Sequence, residues 1–112
     1  MNIAEEGQLL RIFIGESDKC DGRPLYEAII FKAREMGIAG ATMLRGLMGY
    51  GAASRIHTAK ILRLSEDLPV VVEIVDSSEK IAALLPEIEE MAEGGLLVTL
   101  ERVRVIQYRG HR

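Results

Sequence analysis

Residues 68–91 read LPVVVEIVDSSEKIAALLPEIEEM, a strand followed directly by a helix. The segment 68–76 is rich in β-branched residues, which favour extended backbone on a partly buried sheet. After it, the apolar residues recur at helical spacing and form one stripe. The stripe consists of Ile81, Leu84, Leu85, Ile88 and Met91. This stretch therefore predicts a βα unit whose helix buries one side.

The ends of this helix can also be predicted. Asp76 and Glu79 resemble a capping box, so the helix is expected to begin near Ser77. Pro86 removes a backbone donor and clashes with the preceding turn, which predicts a break and a second short turn starting there. Gly94 and Gly95 are expected to end the helical segment.

Three more strands and one more helix are predicted around this unit. QLLRIFIG at 8–15 has the composition of a strand and is followed by the loop ESDKCDGR. A helix is predicted from Pro24 to a stop at Gly37. Strands are predicted at 40–48 and 96–108, the last with an apolar pattern that changes phase, which indicates either a bulge or burial on both faces.

This order predicts an α+β, ferredoxin-like βαββαβ fold, with a four-stranded antiparallel sheet and two helices on one face. The 112 residues suit a single domain spanning 1–112. The second sheet face is left bare, so we expect self-association through it, with a closed cyclic oligomer as the usual solution.

Composition excludes several classes of function. The formal net charge is −3 and Trp is absent, which argues against a nucleic-acid binder. Apolar runs are far shorter than the roughly 20 residues of a membrane span, and no signal-peptide pattern begins the chain, so we expect a cytoplasmic protein without membrane insertion. Cys20 is the only cysteine and is interpreted as incidental.

The candidate ligand site lies in RGLMGYGAASRIH, residues 45–57. Its three glycines allow positive φ and close approach of backbone N–H groups to an anion. Positive charge would come from Arg45, Arg55 and Lys60. Ser54 and His57 would supply hydrogen bonds, and Tyr50 could stack on a base. The alternative is that the glycines, Gly46, Gly49 and Gly51, only form a bulge and a tight turn while the charged residues are solvated.

Catalysis has little support in the sequence. Cys20, Ser54 and His57 belong to no recognisable nucleophile elbow, P-loop or metal-ligand spacing. Glu89 and Glu90 are interpreted as the solvated face of the second helix. We therefore expect a protein that is not an enzyme and holds no metal.

The motifs ATMLRGLMGYG, preceded by GIAG, and LPVVVEIVDSSEKI resemble the PII signalling proteins over about residues 9–108. Within that superfamily, the string at 45–76 is most similar to the PII-like group called domain of unknown function 190. The resemblance implies a homotrimer whose inter-subunit clefts bind a small-molecule effector, an adenine nucleotide in PII proteins. No other cofactor is implied.

By position, the resemblance carries over the end of the second strand, the loop that follows it and a Gly-rich turn before the last strand. This implies ligand-binding roles for Gly49, Gly51, Gly94 and Gly95, with Arg102, Arg104 and Arg109 as nearby basic residues. The turn here reads AEGGLL, without the longer Thr, Gly and Lys string of PII proteins. The loop at about 49–62 would contact a partner protein, which could be a transporter, a channel or an enzyme.

Two alternatives stay open. A divalent-metal-binding trimer similar to the CutA proteins would use His57, although the only other histidine is His111. A structural interaction module without ligand would use the same oligomer and leave the glycines to turn formation.

Overall fold

The sheet of this protein has four antiparallel strands. The computed structural model describes residues 6–52, 57–58 and 67–110, with backbone only at 57 and 58. The strands and helices follow in the order β1 (Glu6–Gly15), α1 (Leu25–Glu35), β2 (Gly40–Arg45), β3 (Pro69–Asp76), α2 (Ser78–Met91) and β4 (Leu97–Arg104). The sheet order is β2-β3-β1-β4. The predicted ferredoxin-like α+β fold is confirmed.

The hydrophobic core lies between one face of the sheet and the two helices. In β1 and β3, alternate residues point to this face, as the period of two in a strand requires. Four elements contribute fully buried side chains. They are Leu10 and Ile12 of β1, Ile29 and Ala33 of α1, Val70, Val72 and Ile74 of β3, and Ile81, Leu84 and Ile88 of α2. The predicted apolar stripe of α2 thus supplies its part of the core.

Helix α2 runs unbroken from Ser78 to Met91, so the predicted break at Pro86 is wrong. Pro86 and Ala82 are both exposed, so the turn in which the Ala82 carbonyl loses its donor lies on the solvent side of the helix. Burial on the opposite side of the helix offsets the cost of the proline. No helix in the described part of the chain is long and apolar enough to cross a membrane.

The start of α2 differs from the predicted capping box. Ser77 is the N-cap, and its Oγ accepts from the backbone N–H of Lys80 at 3.3 Å. Asp76 instead turns inward, where its carboxylate accepts from the N–H of Ala39 at 2.8 Å and of Ser77 at 2.6 Å. Asp76 is only 2% exposed and therefore ties the α1–β2 connection to the end of β3.

Strand β4 pairs with β1 in continuous register, from Leu97 opposite Phe13 to Arg104 opposite Glu6. The strand therefore contains no bulge, and the phase change of its apolar residues reflects side chains on two faces. Val98 points toward the core, whereas Val103 points to the other face of the sheet. The predicted strand is too long, because residues 105–110 have no regular structure.

The segment predicted as a plain loop after β1 contains a small hairpin. Lys19–Cys20 pairs with Arg23–Pro24 across a two-residue turn. Asp21 and Gly22 have φ values of 51° and 81°, the positive values that such a turn needs. The Asp-Gly dipeptide in the sequence is the signal for it.

Asp76→Ala is expected to lower the free energy of unfolding by about 1–3 kcal/mol, because it leaves the Ala39 N–H without its acceptor. Urea unfolding followed by circular dichroism measures the change. Glu89→Ala, on the exposed side of α2, is the control and should shift stability by no more than about 0.5 kcal/mol. Equal effects of the two substitutions would contradict the role assigned to Asp76.

Candidate functional site

A cleft of about 380 Å³ opens where β1 ends and the segment after β2 leaves the sheet. Its apolar walls include Phe13, Met48 and Val71. Five glycines also line it: Gly15, Gly46, Gly49, Gly51 and Gly95. Much of the surface is therefore main chain, which a ligand can approach closely.

The glycines serve close approach rather than unusual backbone angles. Within the described residues, positive φ occurs at Asp21, Gly22 and Gly37, none of them in the cleft. A Cβ on Gly46 would lie 3.1 Å from Cγ of Pro69, closer than ordinary contact. The Gly46 N–H also donates to the Pro69 carbonyl at 2.7 Å. Glycine at position 46 therefore allows the chain that leaves β2 to pack closely against Pro69 at the start of β3.

Beyond Gly46 the chain forms a short antiparallel pair, Met48–Gly49 with His57–Thr58. The predicted strand at 40–48 is thus divided, with β2 ending at Arg45. A Cβ on Gly51 would lie 3.5 Å from the carbonyl oxygen of Phe13. The segment after β2 consequently lies close to the end of β1, which creates one wall of the cleft.

Two carboxylates lie at the cleft, and both accept from main-chain groups. Asp18 Oδ2 accepts from the Gly15 N–H at 3.0 Å, and Asp67 Oδ1 accepts from the Ser17 N–H at 3.1 Å. These N–H groups are therefore already used within the chain. The described lining contains no Lys or Arg side chain, so this part of the cleft is apolar and acidic.

Arg45 lies beside the cleft at the end of β2. Its guanidinium donates to the carboxylate of Glu16, which immediately follows β1. The Arg45 side chain is 54% exposed, whereas that of Glu16 is 14% exposed. An anion in the cleft would compete with Glu16 for this cation.

The remaining predicted site residues are distributed as follows. Gly49, Tyr50, Gly51 and Gly95 line the cleft, and Gly94 lies beside them in the sequence but is not part of the lining. Ser54, Arg55 and Lys60, and the side chain of His57, lie outside the described residues.

Arg102 and Arg104 lie at the other end of the sheet of the same chain. They pair with Gln8 and Glu6, so β1 separates them from Phe13 by about 20 Å. With Glu6 and Val103 they line a second, shallow cavity of about 400 Å³. Arg109 is exposed in the irregular segment that follows β4.

Sequence reasoning overlooked the acidic residues of the site. Glu16, Asp18 and Asp67 all lie next to strand ends, where the polar clusters ESD and SED in the sequence were the available signal. The exposed apolar side chains of Leu47, Met48 and Tyr50 also lie here, at 79%, 64% and 67% exposure.

The described residues give no support for a metal site. Among residues 6–52 and 67–110, no group of three or more His, Cys, Asp or Glu side chains could hold an ion. Cys20 is a half-buried free thiol.

Comparison with known proteins gives a family and a fold. A relative named UPF0166 protein from Aquifex aeolicus is 44% identical over 99 residues, covering 88% of this chain and 92% of the relative. Among solved structures, CPII from Thiomonas intermedia K12, bound to ADP and bicarbonate, matches with a TM-score of 0.69 at 18% identity, covering 93% of this chain and 95% of that one.

A second structural neighbour is a putative PII-like signaling protein, TTHA0516, from Thermus thermophilus. It matches with a TM-score of 0.62 at 18% identity, covering 90% of each chain. The chain thus has the fold of PII-like proteins. The sequence profile of the DUF190 family, described as "Uncharacterized ACR", matches residues 7–105. The chain therefore belongs to the DUF190 family.

Proposed function

We propose that this protein is a non-enzymatic PII-like regulator that binds an adenine nucleotide in the cleft after β2. In this proposal it is a homotrimer, and the loop at about 49–62 contacts a partner protein. The observation that carries the proposal is the glycine-lined cleft at the base of that loop. The PII-like fold and the ADP in the CPII structure support the choice of ligand.

The described part of the cleft suits a nucleoside better than a phosphate. Met48, Tyr50 and Phe13 offer apolar and aromatic surface for a base. The carboxylates of Asp18 and Asp67 are acceptors of the kind that bind ribose hydroxyls. A phosphate placed against these carboxylates would be repelled, so the phosphates are expected to lie toward Arg45.

In this proposal, the positive charge that binds the phosphates comes from three sources. Arg45 supplies one by exchanging Glu16 for the ligand. This step leaves the Glu16 carboxylate, which is only 14% exposed, without its partner, and the contact with the phosphate must offset that cost. The loop residues Arg55 and Lys60 are a second source. A neighbouring subunit is the third, because Arg102 and Arg104 lie too far from the cleft of their own chain.

The same geometry links ligand binding to the loop. The segment between β2 and β3, which contains this loop, is attached to the sheet at the cleft by Gly46 N–H to Pro69 O and by Glu16 N–H to Leu68 O at 2.8 Å. A ligand that contacts Gly49, Tyr50 and Gly51 stabilises one arrangement of the loop over others. The exposed Leu47 and Met48 would then belong to the surface that a partner protein binds.

The first test is thermal unfolding of the purified protein with AMP, ADP and ATP, alongside inorganic phosphate and divalent metals. A ligand that binds only the folded state raises Tm as its concentration exceeds Kd. We expect Tm to rise with at least one adenine nucleotide. A Tm unchanged by millimolar adenine nucleotide would contradict the proposed ligand.

Arg45→Ala is expected to weaken nucleotide binding by about tenfold or more, because a charge-assisted hydrogen bond to phosphate is lost. Isothermal titration calorimetry measures Kd. Arg34→Ala, which removes an exposed arginine on α1, is the matched control and should leave Kd unchanged. If both variants bind as the wild type does, Arg45 takes no part in the site.

The same Arg45→Ala variant should lose about 1 kcal/mol in the free energy of unfolding, because the Arg45 side chain is 54% exposed but the Glu16 carboxylate that it leaves behind is only 14% exposed. Urea unfolding checks this value. A much larger loss would show that the ion pair holds the loop base together, and the change in Kd would then need another explanation.

A further inference from the structure

The sheet face turned away from the helices, here called the open face, is unusually apolar. An antiparallel sheet with one solvated face normally alternates apolar and polar residues. Here the side chains on the open face include Leu9 and Phe13 of β1, Leu44 of β2, Val71 and Val75 of β3, and Leu97 and Val103 of β4. Leu44 and Leu97 are 49% and 43% exposed, so the patch extends to both edge strands.

One ionic cluster, flanked by Thr42 and Thr99, interrupts this apolar surface. Arg11 lies in the middle of β1, where its Nε–H donates to Glu73 Oε2 on β3 at 3.0 Å. Its Nη1 donates to the carboxylate of Glu101 on β4. The hydrogen bond that Glu73 accepts, and then the one that Glu101 accepts, raise the pKa of the Arg11 guanidinium above its usual value. We call these three residues the Arg11 cluster.

The cluster has capacity for contacts outside its own chain. A guanidinium carries five N–H donors, and the two contacts above use the Nε–H and one Nη1–H. Glu101 is 54% exposed, so its carboxylate can accept from a second donor. A surface that covers the open face must offer apolar area together with acceptors and a donor near its centre.

A second copy of this chain meets these requirements. Its open face brings the same apolar side chains, a guanidinium with further donors and an exposed Glu101 carboxylate. Where further copies of this chain cover the open face, as the homotrimer of the proposed function requires, we infer that the Arg11 cluster sets their register, with Arg11 of one copy donating to Glu101 of the next. This inference rests on the homotrimer in the proposed function and names the contact that specifies it.

Burial between copies makes the cluster sensitive to loss of one member. Removing one partner of a buried ion pair leaves an uncompensated charge and is costly, whereas replacing the whole pair by apolar side chains is often neutral or stabilising. On a face that stays in water, neither change would matter much, since exposed ion pairs contribute little. The two substitutions therefore distinguish a covered face from a solvated one.

The test measures mass against protein concentration, by light scattering coupled to gel filtration, without nucleotide. We expect the wild type to be an oligomer, and Arg11→Leu to raise the concentration of half-dissociation by roughly a hundredfold. The triple variant Arg11→Leu, Glu73→Leu, Glu101→Leu should keep the oligomer. Circular dichroism reports whether each variant folds, and the triple variant keeps the test decisive if Arg11→Leu does not.

Lys32→Leu is the matched control. Lys32 on α1 also joins two carboxylates, with Nζ 3.0 Å from Glu35 Oε1 and 3.8 Å from Glu87 Oε1. Its side chain is 32% exposed, close to the 36% of Arg11, but it lies on the helical side of the molecule. Lys32→Leu should leave the mass unchanged.

Three outcomes would overturn the inference. If Arg11→Leu has the mass and stability of Lys32→Leu, the cluster does not contribute to assembly, although the oligomer itself stands. If the triple variant is a monomer, the apolar face is not what holds the copies together. If the wild type is a monomer, the covered face is rejected together with the homotrimer, while nucleotide binding is judged separately by the change in Tm.

Discussion

The pairing of β1 with β3 constrains everything else in this structure. Eight consecutive residue pairs join the two strands, from Gln8 with Asp76 to Gly15 with Pro69. Because side chains alternate along a strand, this register sends Leu10, Ile12 and Ile14 to the helices and Leu9, Arg11 and Phe13 to the open face. A slip of one residue would exchange the two sets and place Arg11 in the core.

The sequence predicted the elements well and their ends less well. The β-branched and aromatic composition of short segments identified the four strands, and the helical spacing of apolar residues identified the two helices. The prediction at Pro86 was wrong because the cost of a proline depends on whether it lies on the solvent side or the buried side of the helix, and only the packed structure shows that side. Asp76 misled because a carboxylate next to a helix start can cap that helix or turn inward to another segment, and sequence spacing is the same for both.

For the candidate site, too, the sequence predicted the local features but not the contacts between residues far apart in the chain. Glycines at 46, 49 and 51 marked the place where the chain passes close to Phe13 and Pro69, which is a local property. The contacts of Glu16 with Arg45 and of Asp67 with Ser17 join residues 29 and 50 positions apart. Such pairs are created by tertiary folding and leave no periodic trace. The position of Arg102 and Arg104 far from the cleft likewise follows from the direction of β4, which only the sheet topology reveals.

The hydrogen bonds that fix both ends of the segment between β2 and β3 have an evolutionary consequence. Gly46 with Pro69, and Glu16 with Leu68, close that segment at the sheet through main-chain groups, so the closure does not depend on the side chains of the loop between them. The entropy of closing a loop grows only slowly with length, by about 0.6 kcal/mol for each doubling. Insertions, deletions and new side chains in this segment therefore cost the fold little. The same scaffold can acquire a different binding partner without rebuilding its core.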